Sequence, residues 1–155
     1  MKKISSLLLA VLLVLAFSLF ALGSTEKEEV DITDNVVGDY VVDVMDFRLV
    51  KDYGADVIII KYSFTNNSDD SESFNLAVRD TVYQGGMSLT ETYVLSSDAN
   101  YDYDNKSKKV KSGATVEIEI AYKLEDTTTD IEVEIKDGSL FGDSDDVITK
   151  TFSIK

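Results

Sequence analysis

The 155-residue sequence contains no cysteine, no histidine and no tryptophan. Without cysteine there is no disulfide, no thiolate metal site and no sulfur nucleophile. Without histidine, Ser-His-Asp catalysis, most zinc sites and the usual general base near neutral pH drop out. Any catalytic reading must therefore rest on carboxylates, lysine or tyrosine. Basic residues are scarce too, 15 Lys and Arg against 29 Asp and Glu. Lys2 and Lys3 belong to the N-terminal segment, which leaves 13 basic against 29 acidic residues beyond Gly23, a net charge of −16. Phosphate recognition needs clustered Lys and Arg, so nucleic acid and anionic lipid are poor partners. Self-repulsion of that size favours a soluble monomer.

What is present starts at the N-terminus. Met1-Lys2-Lys3, an apolar stretch from Ile4 to Leu22 and then Gly23-Ser24 follow the charged, apolar, small-residue order of a secretory signal peptide, with cleavage at Gly23-Ser24. At about 1.5 Å per residue the same stretch is long enough to cross a bilayer, so retention as an uncleaved anchor is the alternative. Ser5, Ser6 and Ser18 interrupt it, and Glu26, Glu28 and Glu29 follow it instead of a basic stop-transfer cluster. Both features favour cleavage. The expected organisation is a signal-peptide helix over 1–23, a disordered acidic tether over 24–39 and one domain over 40–155. The membrane is met only through the signal peptide before it is removed. An exported domain without disulfides must be held by its core alone, and a chain of this size can bury roughly two-thirds of its unfolded surface. Bacterial export suits that better than a eukaryotic secretory route.

From Tyr40 the pattern is β. Val116, Ile118, Ile120, Tyr122 and Leu124 alternate with Glu117, Glu119, Ala121 and Lys123, the period-two signature of a strand with one buried face. Ile131, Val133 and Ile135 repeat it, and Glu125 to Asp130 is the connecting turn. Ile58, Ile60, Tyr62 and Phe64 form another inward row, with Val57 and Ile59 opposite, as in a covered central strand. Tyr40 to Val50 changes phase near Met45-Asp46, which predicts a bulge. Lys51 to Asp56, with Tyr53-Gly54, predicts a hairpin. Further strands are expected at Phe74–Tyr83, Leu89–Leu95 and Val147–Ile154. Seven or so strands with minimal helix and no repeat predict an all-β antiparallel sandwich.

Three chemistries are open to such a chain. Asp98, Asn100, Asp102 and Asp104 place oxygen ligands at alternate positions, as at the start of a calcium loop. Tyr103 stands where the sharp turn requires Gly, however, and Lys109 where the bidentate Glu should be. The competing reading is a solvated acidic loop, balanced by Lys106, Lys108, Lys109 and Lys111. Tyr83, Tyr93, Tyr101 and Tyr103 flank loops, where aromatic rings stack on sugars or anchor a protein interface, or simply pack the rim of a sheet. Paired carboxylates for hydrolysis need one acid with a raised pKa opposite another, and the sequence singles out no such pair. No cofactor other than calcium is implied.

Three stretches carry a family resemblance: Tyr62-Ser-Phe-Thr-Asn66-Asn67-Ser68-Asp69, Val82-Tyr83-Gln84-Gly85-Gly86, and Val110-Lys-Ser-Gly113 running on to Ala121-Tyr122-Lys123-Leu124. Together they resemble the domain of unknown function five-zero-six-seven of secreted lipoproteins from Gram-positive bacteria, over about residues 40–154. That family is similar to the immunoglobulin-like mycobacterial immunoprotective extracellular antigen, which implies an immunoglobulin-like sandwich; its motifs mark fold, and it offers no assigned catalytic residues to carry over. Physically, Thr65-Asn-Asn-Ser-Asp and Ser112-Gly113 are turns. The family's lipoproteins place a lipidated Cys at the cleavage junction, where this chain has Ser24. Either the chain is released by ordinary signal peptidase, or Ser24 replaces a Cys. The function expected is a secreted or surface-retained, non-catalytic binding domain with an extracellular protein or glycan as partner. The alternative is a calcium- or carbohydrate-binding module using residues 98–105.

Overall fold

The computed structural model describes residues 35–96, 100–138 and 146–155. The expected signal segment, its Gly23-Ser24 junction, most of the tether and Asp98 lie outside them. Nine strands are formed among the described residues: β1 (Val36–Val37), β2 (Tyr40–Asp52), β3 (Ala55–Asn66), β4 (Val78–Gln84), β5 (Met87–Ser88), β6 (Thr90–Thr92), β7 (Thr115–Lys123), β8 (Ile131–Asp137) and β9 (Val147–Phe152). They make two antiparallel sheets, ordered β1-β2-β3-β7-β6 and β5-β4-β8-β9. The fold is the all-β antiparallel sandwich that the alternation predicts.

Residues of both sheets meet in one apolar layer. Ile58, Ile60, Tyr62 and Phe64 of β3 and Ile118 and Ile120 of β7 face Val82 of β4 and Ile131, Val133 and Ile135 of β8. Burial of each such side chain stabilises the fold by about 1.5–3 kcal/mol. Phe64 is stacked on Tyr40 at 5.6 Å and meets Phe74 edge-on at 5.5 Å. The β2–β3 register shifts between Val44 and Asp46, the bulge expected from the phase change. It returns Phe47 to the core side, where its ring meets Phe152 of β9 at 5.2 Å.

Three boundaries differ from expectation. The tether does not extend to residue 39: Val36–Val37 pairs with β2, and Val37 is fully buried in the core. Its two valines find an open edge at Tyr40–Val41 and apolar cover beneath. The strand expected over Phe74–Tyr83 begins with a helical turn, α1 (Phe74–Ala77), and becomes extended only at Val78. Burial of both Phe74 and Ala77, three residues apart, fits one face of a helical turn and not a strand. The strand expected over Leu89–Leu95 is reduced to Thr90–Thr92. Met87–Ser88 pairs with β4 in one sheet and Thr90–Thr92 with β7 in the other, so the chain changes sheet at buried Leu89, whose N–H donates to the Val82 carbonyl at 2.7 Å.

Two side-chain amides brace the loops. Asn66 Nδ2 donates to the carbonyls of Asp70 (2.7 Å) and Val110 (2.9 Å), and its Oδ1 accepts from the N–H (3.0 Å) and Oγ (2.7 Å) of Ser68. Gln84 Nε2 donates to the carbonyls of Asp126 and Thr129, both at 3.0 Å. Its Oε1 accepts from the N–H groups of Glu125 (2.9 Å) and Asp126 (3.2 Å). Both residues are buried, and each amide makes four bonds. After Gln84, Gly85 and Gly86 both adopt positive φ (58° and 82°), which a tight two-residue hairpin turn demands.

Candidate functional site

The outer face of the five-stranded sheet is the first candidate surface. Val57 and Ile59 of β3 and Ala121 of β7 point away from the main core yet are buried, covered by Val50, Val94 and Tyr101. Tyr101 is seated by a hydrogen bond from the Ala121 N–H to its hydroxyl oxygen at 3.2 Å. Burial pushes the pKa of that hydroxyl up to about 12. The segment before it is tied by Asp52, whose Oδ1 accepts from the N–H groups of Leu95 (3.1 Å) and Ser96 (2.9 Å). Arg48, forked onto Glu119 at 2.5 and 2.9 Å, also reaches the Asn100 carbonyl at 3.4 Å.

On this base two more rings assemble. Tyr103 lies 6.5 Å from Tyr101 and meets Tyr93 edge-to-face at 5.4 Å. Tyr93 is 60% exposed and Tyr103 48%. Of the four loop-flanking tyrosines the sequence groups, Tyr93, Tyr101 and Tyr103 are thus brought together. Tyr83 is not. It stands on β4 of the other sheet, beside a groove of about 470 Å³ shared with Gly86, Glu132 and Glu134.

The proposed calcium ligands are placed differently from a cation cage. Asn100 adopts a positive φ of 43° and spends its carbonyl on Arg48. Asp102 Oδ1 accepts from the Asp104 N–H at 3.1 Å, and its Oδ2 lies 4.0 Å from Lys108 Nζ. Asp104 precedes a single 3-10 turn, Asn105–Ser107. Among the described residues, no three His, Cys, Asp or Glu side chains cluster closely enough to hold a metal ion. Asp98 lies outside those residues.

A second candidate lies between the sheets. A cavity of about 230 Å³ opens where β4 parts from β6 and β7, lined among others by Phe74, Val78, Asp80, Glu91, Lys106 and Ile120. Tyr62 donates its O–H to Asp80 Oδ2 at 3.3 Å, and Tyr122 donates to the same oxygen. Burial raises the Asp80 pKa, against the pull of these phenols and of its own backbone amide, and Glu91 raises it further. Burial also holds the pKa of both phenols well above the usual tyrosine range. Glu91 is ion-paired with Lys106 Nζ. Sequence reasoning passed over this site. Its signal is the phase of Val78, Asp80 and Val82, which puts a carboxylate on the row that faces the core.

The sequence profile described as "Domain of unknown function (DUF5067)" matches residues 21–137, starting earlier than the resemblance placed it and ending before β9. No curated protein matches the chain. Two solved structures share the fold. One, described as a lipoprotein from Staphylococcus aureus, is 17% identical with a TM-score of 0.57, over 77% of this chain and 90% of that one. The other, described as a lipoprotein from Bacillus subtilis, is 14% identical with a TM-score of 0.57, over 76% of this chain and 37% of that one. The profile match spans most of the sequence: the chain belongs to the DUF5067 family of domains of unknown function.

Proposed function

We propose that the protein is a non-catalytic binding domain, secreted or held at the cell surface, that engages an extracellular protein or glycan through Tyr93, Tyr101 and Tyr103. The observation that carries this reading is the exposed, edge-to-face pair Tyr93–Tyr103, built onto a tyrosine that is itself seated on the sheet. Rings fixed in this way present large amphipathic faces at little cost in side-chain entropy, the property that makes tyrosine a recurrent anchor. The strongly acidic composition argues against polyanionic partners on electrostatic grounds. The likeness to lipoprotein structures and the signal-like N-terminus support an address outside the cytoplasm.

Asp80 and Glu91 line one cavity and differ in environment, as an acid–base pair should. The non-catalytic reading rests on size and tethering. At about 230 Å³ the cavity is smaller than a substrate cleft, and two phenols from the opposite sheet hold the Asp80 carboxylate. A carbohydrate partner is favoured over a calcium ion, because the tyrosines converge whereas Asp102 is engaged by its own loop.

The test is a glycan array read with the protein and its Tyr93→Ala/Tyr103→Ala variant, alongside photo-cross-linking from position 103 on intact cells. Array signals that vanish in the variant, at an unchanged unfolding midpoint, establish the glycan partner. A single cross-linked surface protein with an empty array establishes the protein partner. An empty array with no cross-link, or binding untouched by the double substitution, removes the tyrosine patch as the binding surface.

A further inference from the structure

The cavity between the sheets has a charge arrangement that the tyrosine patch does not explain. Its floor is the Asp80 carboxylate, whose donors are two neutral phenols and its own amide. Among the described residues no Lys or Arg forms an ion pair with it. Glu91 stands in the same wall, and the other charged residues on the lining are Arg79 and Lys106. Phe74, Val78 and Ile120 make the remaining surface apolar. One ammonium already uses this wall. Lys106, with its side chain only 18% exposed, brings Nζ to Glu91 along the cavity.

We propose that the cavity is a binding site for one alkylammonium group, presented either by a small free amine or by a lysine side chain of a protein partner. The ammonium bonds Asp80 and shares Glu91 with Lys106, while its methylene stem lies against Phe74, Val78 and Ile120. A carboxylate held by neutral donors alone, beside apolar walls, suits this ligand: Asp80 and Glu91 attract the ammonium head, while hydrated inorganic cations gain nothing from the walls. The volume suits a chain of a few carbons. Burial raises the Asp80 pKa, and a cation bound beside it favours the charged form and opposes that rise. Lys106 is then an internal competitor, a tethered ammonium that draws on Glu91.

The probes are n-butylammonium, 1-butanol and Nα-acetyl-lysine amide, titrated into the full chain and followed by NMR shifts of Val78, Ile120 and their neighbours. Saturable binding of n-butylammonium, with none of 1-butanol, is expected. Removal of the competitor in Lys106→Met tightens it about tenfold, and removal of the anchor in Asp80→Asn weakens it at least about tenfold, the scale of one charge-assisted contact. Should Asp80→Asn unfold, Glu91→Gln in the Lys106→Met background must cancel the gain. Acetyl-lysine amide binding as tightly as butylammonium identifies a protein lysine as the source, and its failure identifies a free amine. No saturable shift in either the wild type or Lys106→Met overturns the proposal, as does equal binding of 1-butanol. Asp80, Tyr62 and Tyr122 are then only a bridge between the sheets.

Discussion

Tyr62 and Tyr122 sit between the sheets with their hydroxyls on Asp80, whereas Tyr93 and Tyr103 lie on the outer face with their rings against each other. The same side chain serves opposite ends. Inside, the ring is ordinary core and the hydroxyl matters, because a carboxylate between two sheets must be supplied with donors. Outside, the ring matters, because an exposed face offers contact area to a partner. Asn66 and Gln84 belong with the interior pair: all their polar atoms are engaged, and no described buried side-chain polar atom is left without a partner. The difference separates residues that hold the fold from residues free to bind. It predicts that stability and binding respond to different substitutions.

The largest effect should come from Gln84→Ala. It leaves two backbone N–H groups and two carbonyls of the Glu125–Thr129 loop without partners. A loss of about 3 kcal/mol in urea unfolding is expected, against less than about 0.5 kcal/mol for Tyr103→Ala. Equal losses for the two would dissolve the contrast between bracing interior and free outer face.

Next comes the hydroxyl test. Tyr122→Phe keeps the ring and removes one donor from Asp80, for an expected cost of about 1.5–3 kcal/mol, the range for hydrogen bonds to charged groups. Tyr93→Phe keeps the edge-to-face pair and should leave the unfolding midpoint where it is. A stable Tyr122→Phe protein would mean that Asp80 is solvated from the cavity and does not depend on the phenol.

Much of this contrast was legible in the sequence, and the reason is periodicity. The rows Ile58 to Phe64 and Val116 to Leu124 alternate without a fault, so their inward faces could be read directly, and Met45-Asp46 betrayed its bulge by a change of phase. Short elements carried no such signal. Val36–Val37 is too brief for alternation, and Phe74–Ala77 contains too few residues to show a helical period. Leu89 changes sheet because of a tertiary contact with Val82 that no local pattern encodes. Of the family stretches, Thr65 to Asp69 reads as a turn and Asn66 does build one, but Gln84 acts at a distance, on a loop some forty residues along the chain. The tyrosine group was half legible: loop-flanking Tyr101 and Tyr103 converge, whereas Tyr83 was drawn in by residue type and lies on the other sheet. Asp80 was overlooked because a single charge in an inward row resembles an ordinary strand residue until the two phenols facing it are known.

The smallest effect, and the finest test of the interior, is in pH. Burial raises the Asp80 pKa above its ordinary 3.8, so between that value and its native one the folded protein holds a proton that the unfolded chain has released. Its contribution is therefore complete below 3.8 and lost as pH rises through the native pKa. Asp126 has the opposite sign. The N–H groups of Thr128 and Thr129 hold its exposed carboxylate down to about 2, so its contribution is present above 3.8 and lost as pH falls towards 2. Urea midpoints of the wild type, Asp80→Asn and Asp126→Asn, measured from about pH 7 down to about pH 2, should separate the two. On acidification the wild type should gain on Asp80→Asn first, in the window above 3.8, and only later forfeit its lead over Asp126→Asn. An Asp80→Asn curve that stays parallel to the wild type throughout would place that carboxylate in water. The interior would then differ from the outer face in packing alone, and not in the control of charge.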